Sequence, residues 1–412
     1  MLNKVLATSL ALSLAILVVC NASALGQQTA ANPTNPSSSP DQARLPDLNG
    51  TSSEPQAPST PPVGRPGQPA SASPDSLLLG PSANPAQPST GENRSAPEPS
   101  LEPLGAGMGG FSPFMSPVVG RAPFRADYQA AWFAPEAVAG QNTNLGYVRQ
   151  DLSFGFPLWQ NGTCDEWFFS ANLRSEIFQT HAIFPDTGQP FPQDLWNIRF
   201  STTYRHLFDN GWIGGGSVSV GSASDKPFNS INEMTAGLNA FLRVPEGEHN
   251  AWLFTLSYSP TSELPIPIPG VAFVWQPSDT FRANIGLPFQ IMWRPTDDLN
   301  FDLSYMLLTT VHARATYRVC RPVRLYVAYA WENEAYLPAD RPDNNDRLYD
   351  VDQRVTTGAL INLNQHASLD FSGGYIFDHY YFEGKNILNG TNFNRIDVAD
   401  GPYVSLKLLI RW

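Results

Sequence analysis

The sequence predicts an all-β fold, a transmembrane antiparallel up-and-down barrel, and three observations carry that prediction. From about Phe124 onward, runs of about 8 to 14 residues alternate apolar and polar side chains with the period of two that a strand requires. Many of the apolar faces so defined begin or end in Trp, Tyr or Phe, as do the aromatic girdles at a bilayer's two interfaces. The last alternating run finishes on Trp412.

The first residues carry the signs of export. Lys4 supplies a positive start, Val5 to Val19 is an apolar run too short to span a bilayer comfortably, and Ala22-Ser23-Ala24 offers a cleavage site. Residues 1–24 are therefore expected to be a signal peptide. Val19 stands before Cys20 where a lipid-attachment signal would have a small residue, which argues against an acylated cysteine. Cleavage leaves Cys164 and Cys320, too few for a disulfide framework, although an oxidising compartment would let them pair if they meet.

Residues 25–110 form a Pro-, Ser- and Ala-rich arm. Seventeen of the 38 prolines lie between Gln27 and Pro103, and Leu77-Leu78-Leu79 is the arm's one apolar cluster. Too little apolar surface is available there to offset chain entropy, so a disordered spacer is expected, with contact to the cell wall as its sharper possible use. Gly105 to Gly110 marks the border with the barrel, residues 111–412.

Within the barrel the alternation assigns faces. Trp167, Phe169, Ala171 and Leu173 lie opposite Ser170, Asn172, Arg174 and Glu176; Trp196, Ile198, Phe200 and Tyr204 lie opposite Asn197, Arg199, Ser201, Thr203 and Arg205. Val323, Leu325, Val327, Tyr329 and Trp331 lie opposite Arg324, Tyr326, Ala328, Ala330 and Glu332. From Leu299 to Val319 the phase never breaks, with Asp302, Ser304, His312, Arg314 and Arg318 on the polar side, and one continuous strand is expected there. The arginines share faces with Ser, Asn, Asp and Glu. That suits a polar lumen, because an arginine on the lipid face at mid-membrane costs about 2–4 kcal/mol. Arg174, Glu176, Arg199, Arg205, Asp302, Arg314, Arg318, Arg324, Glu332, Arg354 and Asp370 are the residues expected to point inward. They would set the field of a wet pore or neutralise one another in a narrow one.

The runs number about 14, within a range of 12 to 16, and an even count is expected of a bacterial single-chain barrel. Both chain ends then lie in the periplasm. The long connections 181–193, 222–230, 333–350 and 379–401 fall outside, and the short turns 209–210, 277–280 and 363–365 fall inside. In the final strand Val404, Leu406, Leu408, Ile410 and Trp412 share a face against Tyr403, Ser405, Lys407 and Arg411, with Leu409 the exception. This resembles the C-terminal β-signal read by the barrel-assembly machinery. The stretch from Gly286-Leu287-Pro288 through Trp293-Arg294-Pro295 to Leu299-Asn300-Phe301 is similar to a pattern in an uncharacterised domain-of-unknown-function family of bacterial outer-membrane β-barrels. The resemblance covers about 120 to 410. It implies a barrel among outer-membrane lipids and supplies no activity, substrate or catalytic residue.

A net charge of −12 and a pI near 4.9 argue against a nucleic-acid partner, which needs a basic face. Only Lys4, Lys226, Lys385 and Lys407 are lysines; the remaining basic residues are arginines, whose planar fork suits semi-buried ion pairs. No G-x-S-x-G, H-E-x-x-H or P-loop pattern occurs. On one continuous strand Ser304 and His312 would stand more than about 20 Å apart, too far for a nucleophile and its base. Asp340, Asp343, Asp346, Asp350 and Asp352 could hold a hard cation in a loop, but their spacing fits no calcium loop. No cofactor or metal is expected. The leading functional expectation is a passive channel or uptake porin for small solutes. A structural or surface-interaction barrel without an open pore comes next, and an outer-membrane lipid-modifying enzyme third.

Overall fold

A computed structural model describes residues 119–412 apart from 121–122, 163, 263, 307–308, 342 and 388–392. The expected signal peptide and the Pro-rich arm lie outside the described residues. The strands are β1 (Arg125–Ala137), β2 (Asn144–Asn161), β3 (Asp165–Gln179), β4 (Asp194–Leu207), β5 (Ile213–Ser224) and β6 (Met234–Glu246). They continue with β7 (Asn250–Tyr258), β8 (Ile268–Ser278), β9 (Phe281–Gly286), β10 (Phe289–Thr296), β11 (Leu299–Met306) and β12 (Thr310–Cys320). The last are β13 (Val323–Tyr336), β14 (Arg347–Asn362), β15 (Ala367–Gly384), a three-residue β16 (Ile396–Val398) and β17 (Gly401–Arg411).

Each long strand pairs antiparallel with its sequence neighbours, and β17 pairs with both β15 and β1, so sixteen strands close a barrel. The short β16 continues the line of β17 toward the outer end, paired with β15 on one side and bridged to Val138, just past β1, on the other. The seam runs from Arg125↔Arg411 to Phe133↔Tyr403, and within it the Lys407 ammonium lies 2.9 Å from Asp127. Closure leaves no edge with unpaired N–H and C=O groups, which a bilayer core would not tolerate.

Two of the fourteen expected strands are in fact hairpins, and they account for the sixteen. The run 281–293 turns at Leu287-Pro288 between β9 and β10, and the run 299–319 divides into β11, ending at Met306, and β12, starting at Thr310. In both, paired positions have like parity: Gln290↔Asn284 in the first, Tyr305↔Val311 and Asp302↔Arg314 in the second. Directly opposed residues of an antiparallel pair project to the same side. A hairpin paired in this way therefore carries the alternation through its turn unchanged, and an unbroken phase does not distinguish it from one strand.

The outward face is apolar. Trp132, Phe200, Val218, Val220, Leu238, Phe254, Val271, Val327, Val404 and Leu406 are exposed on it. Near the end where both chain termini of the barrel lie, Trp159, Trp167, Tyr204, Trp252, Trp275, Trp293 and Tyr317 form a ring of exposed aromatics. Trp412 joins them, its indole 5.5 Å from Phe124 and 6.0 Å from His366 between ring centroids. At about 25 cal/mol per Å² of apolar surface, a belt of this size is stable against lipid and not against water. Turns at the girdled end are short, while 180–193, 337–346 and 385–395 are long connections at the opposite end. We call these the inner and outer ends.

Candidate functional site: the barrel interior

The interior divides into two sectors. One is walled by β13, β14, β15, β17, β1, β2 and β3, and it is filled. Arg149 on β2 lies 2.5 Å from Glu176 on β3, then reaches across to Asp350 on β14 (3.3 Å) and Glu332 on β13 (3.6 Å). Arg174 on β3 bridges Asp151 on β2 and Glu334 on β13, each at 2.5 Å, and Asn197 on β4 donates to Glu334 at 2.7 Å. Arg354 pairs with Asp352 at 2.6 Å and also with Glu332, while His379 stands 3.1 Å from Asp350. In a ring of sixteen, β3 and β13 are six strands apart, so these bonds cross the lumen.

On the outer side of that network sits an aromatic plug. Phe133 stacks on Tyr147 (4.1 Å) and on Tyr403 (5.0 Å), and Phe191 meets Phe178 and Tyr381 edge-on at 5.1 and 4.9 Å. Phe184 and Phe191 come from the 180–193 connection, which tucks inward, pinned by Asn394 to Asp186 and Thr187. The hydroxyls of Tyr147, Tyr336 and Tyr381 are buried there with no hydrogen-bond partner among the described residues. At the outer rim the Leu337 N–H donates to the Ala223 carbonyl at 2.6 Å, which ties β13 to β5, the strand diametrically opposite. The 337–346 connection continues that crossing: Ala339 N–H donates to Asp225, and Arg341 donates to the Asn232 carbonyl.

The other sector, walled by β4 to β12, carries rows of small polar side chains at mid-height. Ser217, Asn239 and Ser257 make a hydrogen-bonded row across β5, β6 and β7, at 3.2 and 2.7 Å, and Ser170 and Ser201 meet at 2.7 Å. Arg199 projects inward, opposite Asn172 and Gly221 in the register, and is exposed. An exposed inward side chain at mid-strand means open space inside the barrel at that height.

A strap crosses the inner mouth of this sector. Val119, six residues before β1, is 2% exposed and packs on Ile213, Phe241, Ala251, Leu253, Ala272 and Val274, all on the inner wall of β5 to β8. Its neighbour Gly120 donates its N–H to Glu166 at 2.8 Å, and Glu166 lies 3.7 Å from Arg205. Sequence reasoning missed this contact. The signal available to it was a short apolar stretch, Met115 to Val119, just after the Gly-rich border.

The structure places the expected inward residues unevenly. Arg174, Glu176, Glu332 and Arg354 belong to the filled sector's network. Arg314 stacks on Tyr326, with its guanidinium carbon 3.6 Å from the ring centroid, and Tyr326 donates to Asp370 at 2.9 Å. Tyr326 lies over Gly358, where a Cβ would fall 2.5 Å from the ring. Asp302 stands opposite Arg314 in the β11–β12 register, Arg318 pairs with Asp298 at the inner end, and Arg324 stands there beside Arg318 in the register.

Two expectations need correction. The β11–β12 hairpin sets Ser304 directly opposite His312, not more than 20 Å away. No hydrogen bond joins them, and the His312 Nε2 lies 3.7 Å from Glu332 instead. The five aspartates are dispersed: Asp340 pairs with Lys226, Asp343 with Lys385, and Asp350 and Asp352 belong to β14 inside the barrel. Among the described residues no cluster of His, Cys, Asp and Glu is arranged to hold a metal. Cys164 and Cys320 are both exposed free thiols and do not pair.

No family model and no curated protein matches the chain. Solved structures resemble it at low identity. An outer-membrane channel from Pseudomonas putida F1 is 9% identical over 71% of this chain and 96% of its own, with a TM-score of 0.32. A mutant porin of Rh. blastica is 10% identical over 70% and 99%, TM-score 0.32. The toluene transporter of P. putida is 7% identical over 71% and 91%, TM-score 0.32. The barrel described here rests on the chain's own strand pairing.

Proposed function

We propose that this chain is an outer-membrane channel that passes small polar solutes along the β4–β12 sector of its lumen. The observation that carries the reading is Arg199, an inward and exposed side chain on a wall of Ser, Thr and Asn. Barrels of 16 strands are wide enough for an aqueous lumen, and here only part of the section is filled. Conductance of the purified full chain in planar bilayers tests it. Discrete single-channel steps are expected, and their absence from heat-modifiable, folded protein would remove the channel.

A second reading, a surface-interaction barrel that does not conduct, draws on the Leu337–Ala223 contact and the inward-tucked 180–193 connection. It predicts no conductance even after those contacts are broken. A hydrolase has weaker support. Ser304 and His312 face the lumen and not the lipid, and a nucleophile needs its base within about 3.2 Å. Release of fatty acid from phospholipid by the purified chain would reinstate it.

The same proposal includes export by a signal cleaved after Ala24 and insertion through the final strand by the barrel-assembly machinery. It also includes membership of the uncharacterised barrel family suggested by the 286–301 pattern, and a spacer role for the Pro-rich arm toward the cell wall.

A further inference from the structure

On the β4–β10 part of the open sector's wall charge is one-sided; beyond it, on β11, Asp302 stands opposite Arg314. Arg199, Arg205, Arg243 and Arg282 all project inward from β4, β6 and β9, each next to a position on the outward face: Phe200, Tyr204, Leu242 opposite exposed Phe254, and Phe281 opposite exposed Trp293. Every described acidic residue between positions 194 and 296 stands instead at a strand's first or last position or in a connection. Glu166, reaching from β3, is the carboxylate beside Arg205, and it also holds the strap. Among the described residues neither Arg199 nor Arg243 makes an ion pair. The filled sector is the reverse: Arg149, Arg174 and Arg354 face six carboxylates.

A chain of net charge −12 has thus kept carboxylates off the β4–β10 stretch of the inner wall, which borders the open space beside Arg199. Low-dielectric walls focus such a field and concentrate the opposite ion, and rings of arginine select anions in pores. A guanidinium fork also matches the two oxygens of a carboxylate or phosphate. We infer that the open sector is an anion pathway, suited to small oxyanions, with Arg199 at mid-height and Arg243 near the inner mouth as the residues that meet them. This rests on the channel reading for its passage step, but the lumen's charge is separable from conduction.

Two measurements keep the two apart. In planar bilayers under a tenfold KCl gradient, the reversal potential of the full chain should show chloride preferred to potassium. Added inorganic phosphate should reduce the chloride current, and R199E/R243E should shift the preference toward potassium. Potassium preference in the unaltered chain overturns the inference. Where no current is seen, the channel reading has failed and the lumen's field is still readable. A fluorophore on Ser219→Cys, with Cys164 and Cys320 replaced by serine, reports the ions beside Arg199. Iodide should quench it about an order of magnitude better than caesium at low salt. The ratio should fall toward one in 1 M salt, where screening acts within about 3 Å, and in R199Q/R243Q. Equal quenching at low salt overturns the anion pathway whatever the conductance.

Discussion

The two sectors of the lumen are built from the same strand geometry and do opposite things with it. In the filled sector, long charged and aromatic side chains from facing walls reach one another, and the buried charges pair along a strand, with a neighbouring strand or across the barrel. In the open sector, serines, threonines and glycines stop short of the middle, and their hydrogen bonds run along the wall from strand to strand. A barrel's diameter is set by its strand number, so side-chain length decides whether a given arc of the section is solid or hollow. The difference teaches that arginine has two uses in one molecule. Arg149, 4% exposed and held by three carboxylates, is a structural bolt. Arg199, exposed and unpaired among the described residues, is a surface.

That contrast is broken most severely at the bolt. Arg149→Leu would leave Glu176 and Asp350 buried without their cation, at a cost of about 3–5 kcal/mol. Arg199→Leu should stay within about 0.5 kcal/mol, because a side chain with no partner leaves nothing unpaired. Urea unfolding in lipid vesicles measures both. If the two substitutions cost the same, the division into sectors is wrong.

Next in size is the contrast between the two faces of one strand. Val218 and Ser219 are neighbours at the middle of β5, the first exposed on the outer face and the second turned inward. Val218→Arg should cost about 2–4 kcal/mol in a bilayer, and Ser219→Arg should be tolerated and raise anion preference. The cross-lumen bond Arg174–Glu334 offers a finer test. A double-mutant cycle of Arg174→Leu and Glu334→Leu should return a coupling of about 1–3 kcal/mol, and the double variant should conduct more than the parent. A coupling near zero would mean that β3 and β13 are not joined through this pair.

How much of this was legible in the sequence follows from what alternation encodes. It tells a face and not a depth, so the inward placement of Arg174 and Glu332 could be read while their meeting across the lumen could not. It loses contrast where both faces of a strand are buried. At the outer end of β14, Leu348 is buried on one face and Tyr349 on the other, stacked on Phe382 at 4.6 Å. Residues 347–350 consequently read as loop, and Asp350 was grouped with loop aspartates although it is bonded to Arg149 inside the barrel. The parity of the β11–β12 turn hid a hairpin, and with it the pairing of Ser304 with His312. The girdle was visible because its aromatics sit on an otherwise apolar face, and lipid imposes that pattern on sequence directly.

The smallest effect is expected where charges pair outside both sectors. In the outer connections the Lys385 ammonium lies 2.8 Å from Asp343, and both side chains are solvated. The hydrogen bond from Lys385 holds the Asp343 carboxyl below its ordinary value, and the same bond raises Lys385. A depressed acid contributes stability that is present above its unfolded pKa, near 3.8, and is lost as pH falls through the lower folded value. A raised base contributes below its unfolded pKa, near 10.5, and loses that contribution as pH rises through the higher folded one. Between those limits the pair is constant, so Lys385→Met should shift the unfolding midpoint by the same small amount at pH 6 and pH 8. Solvent screens such pairs almost completely, so the shift should also vanish in high salt. Arg149→Leu, whose partners are shielded from solvent, should keep its cost under the same salt. A salt-sensitive Arg149 would show that water reaches the filled sector and that the lumen is open across its whole section.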